Sequence, residues 1–149
     1  MKTASFHFPS FFRKALPALA VGAGLLSAVG SQALASQSLR EIRAQEAEER
    51  ALEREAAFTQ SVCGTSFDVV IDWRSAADWP NGVSLTDSCD GALGALEAIC
   101  RKGKAPRITR FVCAGDGSGA SYRGGTLRYG ASPGDNGFAD TKAVLDRAN

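Results

Sequence analysis

Histidine is almost missing from this chain: the single copy, His7, lies in an N-terminal stretch that reads as a cleavable leader. Once that stretch is removed, serine with histidine, cysteine with histidine and imidazole proton shuttles are all excluded from the chemistry of the remainder. Cysteine is sparse as well. The four copies, Cys63, Cys89, Cys100 and Cys113, stand too far apart for a zinc site built from close pairs, or for a thioredoxin-like redox pair. A basic excess is lacking, with 17 Lys and Arg against 16 Asp and Glu, so no nucleic-acid partner is expected. No apolar run beyond residue 30 is long enough to span a membrane. No stretch repeats, and no motif is specific enough to name a family.

What is present begins with an export signal. Lys2, Arg13 and Lys14 precede an apolar run from Ala15 to Gly30, and Ala33 and Ala35 occupy the two positions a signal peptidase inspects. Cleavage after Ala35 is expected, with no membrane span left behind. It removes three of the 17 basic residues and none of the 16 acidic ones, which leaves one domain of slightly acidic balance. The predicted organisation is a signal peptide over 1–35, a charged helical segment or spacer over 36–60, and a small disulphide-bonded α+β domain over 61–149. The expected location is periplasmic or secreted, where thiols oxidise and a small core gains from cross-links.

From Ser38 to Phe58 the chain is Arg, Glu, Ala, Gln and Leu without Gly or Pro, a helix-forming composition. Ser38 and Glu41 have the spacing of a capping box. Leu39, Ile42 and Leu52 are too few for a continuous apolar seam, so a solvated helix is expected. Phe67, Val69, Ile71 and Trp73 alternate with Asp68, Val70 and Asp72, the pattern of a half-buried strand. Pro80-Asn81-Gly82 marks a turn. Thr86 or Asp87 then caps a helix whose apolar positions, Cys89, Ala92, Leu93, Leu96, Ile99 and Cys100, recur every three or four residues, with Gly103 ending it. Gly91 and Gly94 each weaken that helix by about 1 kcal/mol relative to alanine. A strand follows over Arg107 to Cys113, and Gly124-Gly125 joins two short strand-like runs as a hairpin turn. A closing helix from Ala139 to Arg147 would turn Ala143, Val144 and Phe138 inward. The expected fold is α+β: a mainly antiparallel sheet of three or four strands, one parallel pair within it, and one helix stapled on by disulphides.

The pairing follows from the elements. Cys89 and Cys100 sit at opposite ends of one helix, about 16 Å apart, beyond the ~7 Å that a disulphide spans between Cα atoms. If the helix packs back across the first strand and the second strand returns across the helix, Cys63 meets Cys100 and Cys89 meets Cys113. The first two strands are then parallel.

For function, no catalytic residue, cofactor or metal ligand is assigned. Two features stand out: Trp79, in a loop, as a contact anchor, and the basic cluster Arg101, Lys102, Lys104 and Arg107, followed by Arg110, as a patch for an acidic partner. The leading expectation is a module that binds or inhibits another protein in the envelope or outside the cell. The alternatives are a cell-wall or carbohydrate-binding module stacking sugars on Trp79, Tyr122 and Tyr129, and a carboxylate-dependent hydrolase using Asp72 or Asp116. Asp68 and Asp72, about 13 Å apart along a strand, read as solvated carboxylates, and Asp116-Gly117-Ser118-Gly119 as a plain turn.

Overall fold

The computed structural model describes residues 38–148; the expected signal peptide lies outside them. Helix α1 spans Leu39–Cys63. Its first turn is closed by the capping box: the Ser38 hydroxyl accepts from the Glu41 amide at 3.2 Å, while the Glu41 carboxylate accepts from the Ser38 amide at 2.7 Å. Gly64 ends the helix in the left-handed region (φ 64°), which costs glycine nothing sterically.

The second half of α1 is not a solvated spacer. Leu52, Ala56 and Thr59 are buried, on one stripe of the helix, and belong to the packing around the second helix, α2 (Leu85–Cys100). Thr59 Oγ1 donates to Glu97 at 2.8 Å, and the Glu48 carboxylate accepts from Ser84 and Thr86 at 2.9 and 3.3 Å. Those polar bonds between helices were invisible in the apolar pattern. They also explain why α2 starts earlier than expected: Ser84 is the N-cap, its hydroxyl accepting from the Asp87 amide, and Thr86 is buried against α1.

Four strands form one sheet: β1 (Asp68–Asp72), β2 (Arg110–Ala114), β3 (Gly119–Arg123) and β4 (Thr126–Gly130), in the spatial order β1-β2-β4-β3. The α+β class and the disulphide staples hold. The expectation of a mainly antiparallel sheet does not, because β1, β2 and β4 run parallel and only β3 opposes its neighbour β4. The reason lies in burial. β4 brings Leu127 and Tyr129 into the core at 0 % and 2 % exposure, whereas the same face of β3 offers only half-buried Ala120 and Tyr122. The more apolar strand therefore takes the interior position, and its partner becomes the edge. Gly124 and Gly125, with φ of 56° and 80°, make the tight hairpin turn between them. β2 begins at Arg110 rather than Arg107, since the amides of Thr109 and Arg110 bond to the Gly125 carbonyl of that turn.

Helix α3 (Phe138–Ala148) closes the fold. Its buried residues are Thr141 and Leu145; Ala143 and Phe138 are exposed and Val144 half-buried, so the inward face is rotated from the one expected. α2 lies between α1 and α3 on one face of the sheet, over a single core that includes Leu93, Leu96, Ile99, Phe111 and Leu127. Burying a core side chain of that kind contributes about 1.5–3 kcal/mol. Two disulphides, Cys63 with Cys100 (Cα–Cα 5.0 Å) and Cys89 with Cys113 (5.8 Å), hold the two ends of α2, one to α1 and one to β2. This is the pairing that helix length and strand direction select.

Candidate functional site

Parallel strands aligned by their register have all their carboxyl ends on one rim, the usual place for a crevice in such sheets. Here β1 ends at Asp72 and β2 at Ala114. The chain leaves β1 into a single 3-10 turn, Trp73–Ala76, where the first strand had been expected to run on through Trp73. The Ser75 hydroxyl donates to the Asp72 carbonyl at 2.6 Å and accepts from the Gly115 amide at 2.7 Å, so one side chain ties the ends of two strands together. Trp79 then folds onto the same spot. Its indole N–H donates to the Gly115 carbonyl at 2.9 Å. A side chain at position 115 would lie 2.6 Å from the Ala76 methyl and 3.1 Å from the Trp79 ring, so glycine is the residue that permits this contact.

Trp79 is thus half-buried, packed on the core edge, with its one polar atom satisfied. The remaining ring surface lines a cleft of about 530 Å³. One wall is the first half of α1, with Glu41, Ala44, Gln45 and Glu48; the other is Trp73, Arg74, Ala77 and the Pro80-Asn81-Gly82 turn. The volume lies in the range of ligand sites. Within its lining one large aliphatic side chain is left in water, Val83 at 37 % exposure.

The basic cluster is somewhere else. Arg101, Lys102, Lys104 and Arg107 are all exposed, but they follow the C-terminal end of α2 and precede β2, at the amino rim of the sheet. The length of β2, about 16 Å, separates them from Trp79. They share that rim with the end of α3, where Asp146 is held below the usual carboxylate range mainly by its hydrogen bond from Lys142, with Lys102 and Lys104 adding to the field. Trp79 and the basic cluster do not make one site.

The other candidates are also resolved by geometry. Tyr129 is buried beneath α3, with its phenol pushed upward chiefly by burial and then by Asp135 and Asp140. Tyr122 donates its hydroxyl to the Arg107 carbonyl at 2.8 Å. Neither joins Trp79, so the sugar platform of three aromatics is not assembled. Asp116 accepts from Arg128 Nη2 at 2.6 Å and from the Ser118 amide and hydroxyl at 3.2 and 2.8 Å. Those donors, Arg128 foremost, lower its pKa from 3.8 to about 2. A carboxyl held ionised in this way cannot donate a proton near neutral pH, and the turn it closes is a structural one.

Among the described residues no group of three or more His, Cys, Asp or Glu side chains is placed to hold a metal ion, and no helix is long and apolar enough to cross a membrane. No family model, curated protein or solved structure matches this chain. What fold and site define together is a class: a disulphide-stapled α+β domain with an aromatic cleft at the carboxyl rim of its parallel strands.

The sequence pointed to Trp79 but not to its surroundings. Glu41, Ala44, Gln45 and Glu48 carried no signal, because an isolated charged helix does not disclose what it will face.

Proposed function

We propose that this chain is an exported binding module, not an enzyme, and that a partner protein in the periplasm or outside the cell docks in the Trp79 cleft. The observation that carries the reading is a cleft walled by two tryptophans, with Ala44, Ala77, Pro80 and a 37 % exposed Val83 also in its lining. Apolar side chains grouped on a surface favour a covering partner, and a tryptophan whose N–H is already satisfied offers ring area without a polar penalty. The two disulphides, with no free cysteine among the described residues, support an oxidising location.

A photo-crosslinking amino acid at Ala77, inside the cleft, tests this in the organism's own envelope. The expected result is one discrete protein adduct that is lost with Ala44→Arg on the facing wall and is absent when the probe sits at exposed Ala57. Adducts of equal yield from both positions would overturn the reading. Sedimentation with purified cell wall, abolished by Ala44→Arg, would replace the protein partner with a polysaccharide.

A further inference from the structure

Among the described residues the sheet ends on β1, with no strand paired to its outer side. The Asp68 amide donates inward to the Thr109 carbonyl at 3.0 Å. In a parallel pair, alternate residues direct both backbone groups to the same neighbour, so Asp68, Val70 and Asp72 face β2 while Phe67, Val69 and Ile71 face outward. Gln60 Nε2 marks that phase by donating to the Phe67 carbonyl at 3.0 Å. Beyond it, the N–H and C=O groups of Val69 and Ile71 line a rim where no strand of the described residues lies alongside. Side chains give this rim a chemical character: on the open face of the sheet Asp68 and Asp72 are exposed, with Val70 between them at 41 %. Asp68 reaches Arg110 only at 3.9 Å in an exposed pair, a contact of little strength. Asp72 has no ion pair among the described residues. The opposite edge, β3, lies close under α3 and ends on Arg123.

We propose that β1 is a docking edge for an extended, basic segment of the partner protein, added as a further strand. Lys or Arg of that segment would stand opposite Asp68 and Asp72, with an apolar residue opposite Val70. A second copy of this chain is the poorer occupant. Antiparallel self-pairing centred on Val70 sets Asp68 of each copy against Asp72 of the other, which places like charges directly opposite at both ends. The outer edge runs into Trp73, a wall of the cleft. The proposal therefore names the kind of segment the partner brings and rests on the docking reading above, although the two can fail separately.

The test uses the oxidised chain, amide hydrogen exchange by NMR, and two short synthetic peptides, Thr-Lys-Thr-Val-Thr-Lys-Thr and its counterpart with glutamate in place of both lysines, each of which presents two charges with valine between them on one face of a strand. In the free protein the Val69 and Ile71 amides exchange fast and the Val70 and Asp72 amides slowly. With the lysine peptide, Val69 and Ile71 become protected; with the glutamate peptide they do not. Val69→Pro removes an outward donor without touching the ladder to β2, and weakens binding at least roughly tenfold, the scale of one lost hydrogen bond. Should that variant fail to fold, Asp68→Lys with Asp72→Lys carries the test by reversing the preference to the glutamate peptide. Equal binding of both peptides, or Val69 and Ile71 left unprotected, overturns the edge. Ala77→Arg, which fills the cleft, leaves peptide protection unchanged; if it alone abolishes protection, the cleft stands and the edge falls.

Discussion

Single residues in this fold are placed by what their neighbours leave open, and two glycines in α2 show how far that departs from intrinsic preference. Either should weaken a helix by about 1 kcal/mol relative to alanine. A side chain at Gly94 would meet nothing nearer than the Phe138 ring at 3.8 Å, whereas one at Gly91 would fall 1.9 Å from the Asn136 carbonyl oxygen. Gly94→Ala should therefore stabilise the protein by up to about 1 kcal/mol, while Gly91→Ala should destabilise it by about 1–3 kcal/mol, the range of an overpacked core. Urea denaturation of the two variants measures both signs. Asp116 makes a pH-dependent contribution of its own. Its folded pKa, about 2, lies below the unfolded 3.8, so the Arg128 pairing stabilises the fold fully above the unfolded value and is lost as pH falls through the folded one. Denaturation midpoints should thus fall more steeply between those two pH values in the wild type than in Asp116→Asn, and the gap between the proteins should close at the acid end.

At the scale of elements, cross-links and polar bonds set how the helices meet the sheet. The Cys63–Cys100 bridge joins residues 37 apart and Cys89–Cys113 residues 24 apart, each stabilising by about 3–4 kcal/mol in chain-entropy terms. The two differ in access, for Cys89 and Cys113 are fully buried whereas Cys63 and Cys100 are half-buried. Under graded reductant, alkylation and mass spectrometry should find Cys63 and Cys100 labelled first, with Cys89 and Cys113 labelled only once the fold opens. α1 carries a contrast along its own length. Leu52→Ala should cost about 2–5 kcal/mol as a buried truncation, and Leu39→Ala, 74 % exposed, should stay within about 0.5 kcal/mol, both read by thermal or chemical denaturation.

Across the whole molecule, the parallel register sorts the surface into two rims with different chemistry. The carboxyl rim holds Trp73, Trp79 and the cleft; the amino rim holds Arg101, Lys102, Lys104 and Arg107. If the partner docks at the cleft, reversing those four charges to glutamate should leave the Ala77 adduct intact. Its salt dependence should then follow Asp68 and Asp72 on β1, and repeating the crosslink over a range of ionic strengths checks this. An adduct lost with the charge reversal would mean that the amino rim takes part in docking.

Local patterns were enough for the existence of the helices, the first strand and the hairpin, and for the disulphide pairing, because capping, periodicity, chain reach and Cα separation act over short stretches. Ser38 with Glu41, and the helix between Cys89 and Cys100, are such cases. Local patterns did not give the start of α2, the end of β1 or the buried faces of α1 and α3, which tertiary contacts set. Strand order was not legible: alternation places a side chain on one face but does not say which strand sits in the middle, and that turned on how much of Leu127 and Tyr129 could be buried compared with Ala120 and Tyr122. The cleft was hidden for a related reason. Glu48 reaches Ser84 and Thr86, and Trp79 reaches Gly115, across 36 residues or more, so only the folded chain brings the walls together, and only then does one tryptophan become part of a site.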